Sequence, residues 1–291
     1  MLIDAHTHIF PPEAIANRER LTGEEPVFAE LYGDPRAKLA TAPELLAAIE
    51  RNGFAHAIAL GFAWASPERC RWHNEALLAA AAESEGRIVP FCTVPLTAPP
   101  AEIVRELERC AASGARGVGE LRPGSLGVDL EGRLGDALAE AAAALGLVLL
   151  FHASEPVGHR YPGKGGGELG MLYRFIEAHP EVRIVLAHWG GGLPFYTLMP
   201  EVRAALDHVW FDTAATTLLY TPEVYRVAIG LVGAERLLFG SDFPLLGPLR
   251  QLRALRAAPL SDEEQALIAG QNAARLLGLA PENLSGCSAR A

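Results

Sequence analysis

The stretch MLIDAHTHIF (residues 1–10) sets two histidines, His6 and His8, two positions apart in a short apolar run. Read as a strand, the run points side chains i and i+2 to one face, so both imidazoles aim at one place. Converging imidazoles at the end of a strand are the start of a metal site.

Seven further apolar, β-branched runs follow: HAIALGF (56–62), IVPFCTV (88–94), GVGEL (117–121), LVLLFHA (147–153), RIVLAHW (183–189), VWFDTAA (209–215) and LLFGSDF (237–243). Between them lie alanine- and leucine-rich segments of helical spacing at 43–53, 74–86, 100–114, 134–146 and 167–180, several of which end in glycine or run into proline. Strand and helix alternating eight times over most of the chain predicts an α/β fold, a (β/α)₈ TIM barrel, with a doubly wound open sheet as the alternative. No linker or change of composition divides the chain, so residues 1–280 are expected to form one domain and 281–291 a tail. Residues 10–42 make a long first β-to-α connection leaving the C-terminal rim of the barrel, a place for a lid. Residues 261–279 open on a serine N-cap and an acidic first turn and predict a helix or two packed on the barrel.

A net charge of −10 with no basic cluster argues against nucleic acid or an anionic membrane surface as partner and favours a small-molecule substrate. No run of eighteen apolar residues occurs, and the N-terminus goes straight into acid and imidazole, so a soluble, unprocessed protein is expected. Cys70, Cys92, Cys110 and Cys287 are too scattered for a disulfide framework or a zinc finger, which suits a reducing cytoplasm.

Barrel strands should be filled with valine, isoleucine and leucine, so the polar exceptions are informative. His6 and His8 fall late in the first strand, Glu120 late in the fourth, His152 in the fifth, His188 in the sixth and Asp242 in the eighth. All six approach the C-terminal mouth, where barrel ligands bind. Taken singly each has an ordinary explanation: a hydrogen-bonded structural histidine, a Glu120–Arg122 pair, an N-cap at Asp242. Burying them together without a cation would be costly, so the set predicts a metal site. His56, His73, His179 and His208 lack this placement and are expected to be solvated or capping groups.

The order of IDAHTHI, VRIVLAHWGGGLPF, ERLLFGSDFP and NAARLLGL along nearly the whole chain resembles the amidohydrolase superfamily, in its branch of aminocarboxymuconate semialdehyde decarboxylase-like enzymes. The resemblance implies a divalent metal, usually Zn²⁺, on His6, His8, His152 and Asp242, with His188 a second ligand or a catalytic acid/base, and it suggests a homodimer. Asp242 would then take a proton from a metal-activated water. Glu120 divides the readings. Pointing into the mouth, it would bridge two ions in a hydrolase of amides, esters or lactones, the first expectation. Paired with Arg122, it would leave one ion, as in the alternative, a non-oxidative decarboxylase of an aromatic or unsaturated acid. Trp64, Arg122, His159, Arg160 and Lys164 lie on predicted mouth loops as candidate substrate contacts, the cationic ones suiting a carboxylate, and Trp189 is expected to pack under the metal site.

Overall fold

The computed structural model describes residues 1–279, so the expected tail lies outside the described residues. Each apolar run contains one strand: β1 (Ile3–His8), β2 (His56–Leu60), β3 (Ile88–Cys92), β4 (Gly117–Leu121), β5 (Val148–Phe151), β6 (Arg183–Leu186), β7 (Val209–Asp212) and β8 (Leu237–Leu238). They pair in parallel in sequence order. The ring closes where Ala5 N donates to Phe239 O (2.7 Å), His8 N donates to Phe243 O (2.7 Å) and Thr7 bridges Phe243. This is a single-domain (β/α)₈ barrel, not an open sheet.

Side-chain alternation sorts the core into two layers. Ile58 and Leu60, Val89 and Phe91, and Val148 and Leu150 fill the barrel interior, together with Ala273, Leu276 and Leu277 of the C-terminal helix Asn272–Leu277. Ala57 and Ala59, Leu149 and Phe151, and Ile184 and Leu186 face outward and pack against the surrounding helices. Those helices include Ala42–Arg51, Pro67–Glu83, Pro100–Ala112, Arg133–Ala144, Leu169–Ala178, Val224–Val232 and Pro248–Ala257. The helix Pro67–Glu83 begins earlier than the periodicity suggests because Ser66 caps it, accepting from Arg69 N at 3.2 Å with Pro67 at the first position.

Two strands break the alternation. β1 shifts register between Asp4 and Thr7, and β4 between Val118 and Leu121. Below the first shift Ile3 and Ala5 belong to the interior layer, so strict alternation would turn His6 and His8 outward. The irregularities re-aim His6, His8 and Glu120 toward the mouth, a common use of a bulge.

Residues 10–42, expected as one long connection, hold three short helices, Pro12–Ala16, Arg18–Glu24 and Pro26–Tyr32. Their Leu21, Val27 and Phe28 pack with Phe10, Phe62 and Trp64 in an aromatic cluster of its own at the mouth side. The segment 261–279 is helical as expected, and Gly270 within it lies against β1, where a Cβ would come within 2.5 Å of Met1 O. The described cysteines, Cys70, Cys92 and Cys110, are free and buried, and no described helix is long and apolar enough to cross a membrane.

Candidate metal centre

The six side chains singled out at the strand ends converge. His6 Nε2 lies 3.1 Å from His8 Nε2, and both nitrogens lie 3.7 Å from Asp242 Oδ1. Glu120 Oε2 is 3.8 Å from His8 Nε2, while its Oε1 is 2.8 Å from His152 Nδ1 and 4.0 Å from His188 Nδ1. His188 Nε2 faces Asp242 Oδ2 at 3.6 Å. Donors about 2.1 Å from one ion stand about 3.0 Å apart at right angles and about 3.4 Å apart at the tetrahedral angle, so these separations are those of a coordination shell. His6, His8 and Glu120 form one such group, His6, His188 and Asp242 a second, and Glu120, His152 and His188 a third.

The protonation pattern shows where a cation belongs. Asp212 is fully buried; its Oδ2 accepts a hydrogen bond from His6 Nδ1 at 2.8 Å, and its Oδ1 accepts from the backbone N–H of His188 and of Ala214, both at 2.9 Å. Burial pulls the His6 imidazole down, but Asp212 outweighs it and holds His6 up at about 10. Burial, aided by the charge on His6, pushes His8 down to about 4. The two Nε2 atoms face each other at 3.1 Å, and the buried His8 Nδ1 has no partner. A divalent ion between them would take a lone pair from each imidazole and charge from the carboxylates of Asp242 and Glu120, so the residues fit a metal.

Burial, then the charge of Arg122, pushes His152 down to about 4. Neutral His152 donates from Nδ1 to Glu120 and accepts at Nε2 from the Ser154 hydroxyl at 2.8 Å. Burial also opposes ionisation of Glu120 and Asp242, but the histidines hold both carboxyls below their ordinary range. His188 is the counterpart, lowered by burial yet held above its ordinary value by Asp242 and Glu120.

Backbone strain accompanies this arrangement. β6 ends at Leu186, three residues short of the expected run, so His188 lies past the strand and not within it, and His188 (φ 53°), Trp189 (φ 58°) and Asp242 (φ 66°) adopt left-handed conformations that cost about 1–3 kcal/mol each. Gly240 makes the last turn feasible, since a Cβ there would come within 2.9 Å of His6 Cβ. Trp189 is buried beside the site, its Nε1 donating to Thr216 Oγ1 at 2.9 Å.

These distances and the closed parallel barrel are joined by a family match: the model described as Amidohydrolase covers residues 3–279. The chain belongs to the amidohydrolase family. Comparison with curated protein sequences gives no match. Among solved structures, the amidohydrolase barrel is similar to 5-carboxyvanillate decarboxylase from Novosphingobium aromaticivorans, complexed with manganese and 4-hydroxy-3-methoxy-5-nitrobenzoic acid (TM-score 0.80, 17% identity, 96% of each chain covered). It is similar to a dihydroxybenzoic acid decarboxylase from Polaromonas sp. with bound manganese and 2-nitroresorcinol (TM-score 0.74, 18% identity, 98% of this chain and 99% of that one). It is also similar to 2,6-dihydroxybenzoate decarboxylase from Rhizobium (TM-score 0.73, 18% identity, 96% and 98% covered). At such identities the likeness establishes the fold.

Around the centre, Glu120 points into the mouth and forms no ion pair with Arg122. Arg122 is 4% exposed, and its guanidinium donates to neutral oxygens only, Ser125 Oγ at 3.3 Å and Gly163 O at 2.7 Å. Among the described residues no carboxylate lies within 4.0 Å of it. The expectations for Trp64, His73 and His179 need correction. Trp64, a candidate substrate contact, is fully buried, stacked on Phe28 at 5.5 Å between ring centres, with its Nε1 donating to His73 Nδ1 at 3.0 Å. His73, expected to be solvated or capping, is fully buried and bonds Ile9 O through Nε2 at 2.8 Å. His179 is buried as well. On the loop after β5, Lys164 Nζ is tied to the carbonyls of Val157 (2.5 Å) and His159 (2.8 Å), while His159 and Arg160 are exposed.

Sequence reasoning missed three residues. Asp212 carried a signal, an acid at the end of an apolar run. Ser154 carried none. Neither did Tyr32, at the end of the helix Pro26–Tyr32, whose hydroxyl burial pushes up, with the charges of Asp242 and Glu120 adding to it.

Proposed function

We propose that this amidohydrolase is a metal-dependent, non-oxidative decarboxylase of an aromatic or unsaturated carboxylic acid. The observation that carries the reading is Arg122: a buried guanidinium beside the histidine and carboxylate cluster, without an anionic partner. A buried cation bonded only to neutral oxygens matches an anion brought by the substrate, and its planar fork suits a carboxylate. The decarboxylases of the same fold support the choice over hydrolysis, which the sequence alone had favoured.

His6, His8, Glu120, His188 and Asp242 would hold the divalent ion, with His152 joined to them through its bond to Glu120, and the ion would supply a Lewis acid that orients and polarises the substrate. Imidazoles with carboxylates suit zinc, the sequence-based expectation, and also manganese, the ion in two of the similar structures. Arg122 binds the carboxylate. His188, whose Nε2 faces Asp242 at 3.6 Å and whose imidazole Asp242 and Glu120 hold above its ordinary value, is the group we assign to give a proton to the carbon that loses its carboxylate. A proton delivered there would form the new C–H bond, the electron pair of the broken C–C bond staying on the carbon as carbon dioxide leaves.

The experiment is carbon dioxide release from a panel of aromatic and enoic acids by metal-loaded protein, for wild type and Arg122→Met. Loss of one charge-assisted contact is expected to lower kcat/KM by roughly 10- to 100-fold at unchanged metal content. Full activity in the variant defeats the role of Arg122, and amide or ester cleavage without carbon dioxide release defeats decarboxylation. One observation supports a second reading, hydrolysis at a two-metal centre: Glu120 reaches His8 with one oxygen and His152 with the other.

A further inference from the structure

The end of the helix Pro26–Tyr32 reaches the corner of the mouth where Arg122 lies. Glu30 Oε1 accepts from Gly163 N at 3.0 Å, and Gly163 O in turn accepts from Arg122 Nη2 at 2.7 Å. Gly163 (φ 85°) sits so close that a Cβ on it would run into Leu31 Cδ2 and stand 3.5 Å from Arg122 Nη2. Residues 30 and 31 therefore touch the loop that seats Arg122, and Tyr32 follows directly. Its ring is clamped, with centroids 5.0 Å from Phe28, 5.2 Å from Phe10 and 5.9 Å from Phe62, and its carbonyl accepts from Arg18 Nε at 2.8 Å. The other end of the helix is fixed through Glu25, which accepts from Ala65 N at 3.1 Å and pairs with Arg69 Nε at 2.8 Å. A phenol held this way presents its hydroxyl at one place, with little further ordering left for a ligand to impose.

That hydroxyl makes no hydrogen bond among the described residues, where only the carbonyl of Tyr32 is engaged. Asp242, Glu120 and Arg122 lie close enough for their charges to act on it, yet both carboxylates are turned to the histidines. Arg122 has a free donor too: Nε is spent on Ser125 and Nη2 on Gly163, while Nη1 donates to nothing among the described residues. Neither the Tyr32 hydroxyl nor Arg122 Nη1 is sealed off from the mouth. Two open donors in one corner, one of them on a cation, make a seat for an anion, whose oxygens accept both.

We infer that Tyr32 is a substrate-binding residue whose hydroxyl donates to the carboxylate held by Arg122. The first β-to-α connection thereby supplies part of the acid-recognition site, and the Glu30–Gly163–Arg122 chain of hydrogen bonds keeps its two donors in register. The assignment rests on the proposed function for the presence of an acid at Arg122.

The test is titration calorimetry of manganese-loaded protein with benzoate, for wild type, Tyr32→Phe and Arg122→Met. Tyr32→Phe keeps the clamped ring and removes only the hydroxyl. It is expected to bind benzoate about tenfold or more weakly than wild type, the scale of one hydrogen bond to a charged group, with metal content and melting temperature unchanged. Affinity within about twofold of wild type in Tyr32→Phe, beside a loss of about tenfold or more in Arg122→Met, overturns the assignment and leaves the proposed function standing. A loss in Tyr32→Phe that comes with less bound metal or a lower melting temperature gives the hydroxyl a structural role and overturns it as well. Benzoate binding that is absent in wild type, or indifferent to Arg122→Met, overturns both.

Discussion

Asp212 decides what His6 can do. By accepting a hydrogen bond from Nδ1 it fixes the tautomer and leaves Nε2 facing His8 and Asp242, and by accepting from His188 N it also holds the strained turn after β6. Asp212→Asn keeps the shape but removes the charge that raises the basicity of His6. It should weaken metal binding by about 10- to 100-fold, the range for partners behind a metal ligand, measured by competition with a chelator. Unchanged affinity would mean that His6 is oriented by packing alone. The contrast with the readable part of the site is instructive. His6, His8, His152, His188 and Asp242 were visible because each interrupts an apolar run at one end. Asp212 interrupts a run in the same way, but its importance comes from a partner 206 positions away in the chain. Ser154 and Tyr32 were invisible because loop conformation and the packing of the first connection, which no periodicity encodes, bring them to the mouth.

Among the elements, strand number, order and direction were legible because alternation of apolar runs and helices leaves few closed arrangements. The register shifts in β1 and β4 were not: they depend on how neighbouring strands pair, and without them the alternation would aim the first two histidines away from the site. The lid attachment is another tertiary product. His73 on the helix Pro67–Glu83 joins Trp64 of the loop after β2 to Ile9 at the start of the first connection, using both ring nitrogens. Burial pushes its imidazole from 6.5 down to about 4, so the fold requires the neutral form. In the unfolded chain it titrates near its ordinary value, so its contribution to stability is whole above pH 6.5 and is lost as pH falls toward 4. At about 1.4 kcal/mol per pH unit the loss is on the order of 3 kcal/mol. His73→Gln retains a donor and an acceptor without titrating. Urea unfolding of chelator-treated protein at pH 7, 5.5 and 4 should show a shallower decline in the variant than in wild type; parallel declines would place the acid sensitivity elsewhere, with His8 and His152 as the next candidates.

Over the whole molecule, the centre joins parts of the barrel that meet only by closure. The side chains that would hold an ion come from the ends of β1, β4, β5, β6 and β8, and the β1 to β8 seam is held by few backbone bonds because β8 has only two residues, Leu237 and Leu238. A cation there binds the folded state alone and ties the seam across its upper end. At a free metal concentration 100 times the dissociation constant the gain is about 2.7 kcal/mol, and at about 2–4 °C per kcal/mol a chain of this size should melt on the order of 5–10 °C higher than after chelation. The same preparations decide the number of ions. Wild type and Glu120→Gln, purified without chelator, are compared by elemental analysis and by melting with and without added manganese or zinc. One ion per chain in both proteins fits the decarboxylase reading and makes Glu120 a neighbour that sets the charge of His152 and His188. Two ions falling to one would show that the carboxylate bridges and would move the chemistry to hydrolysis. A melting temperature indifferent to chelator and to added metal would remove the ion from the barrel altogether.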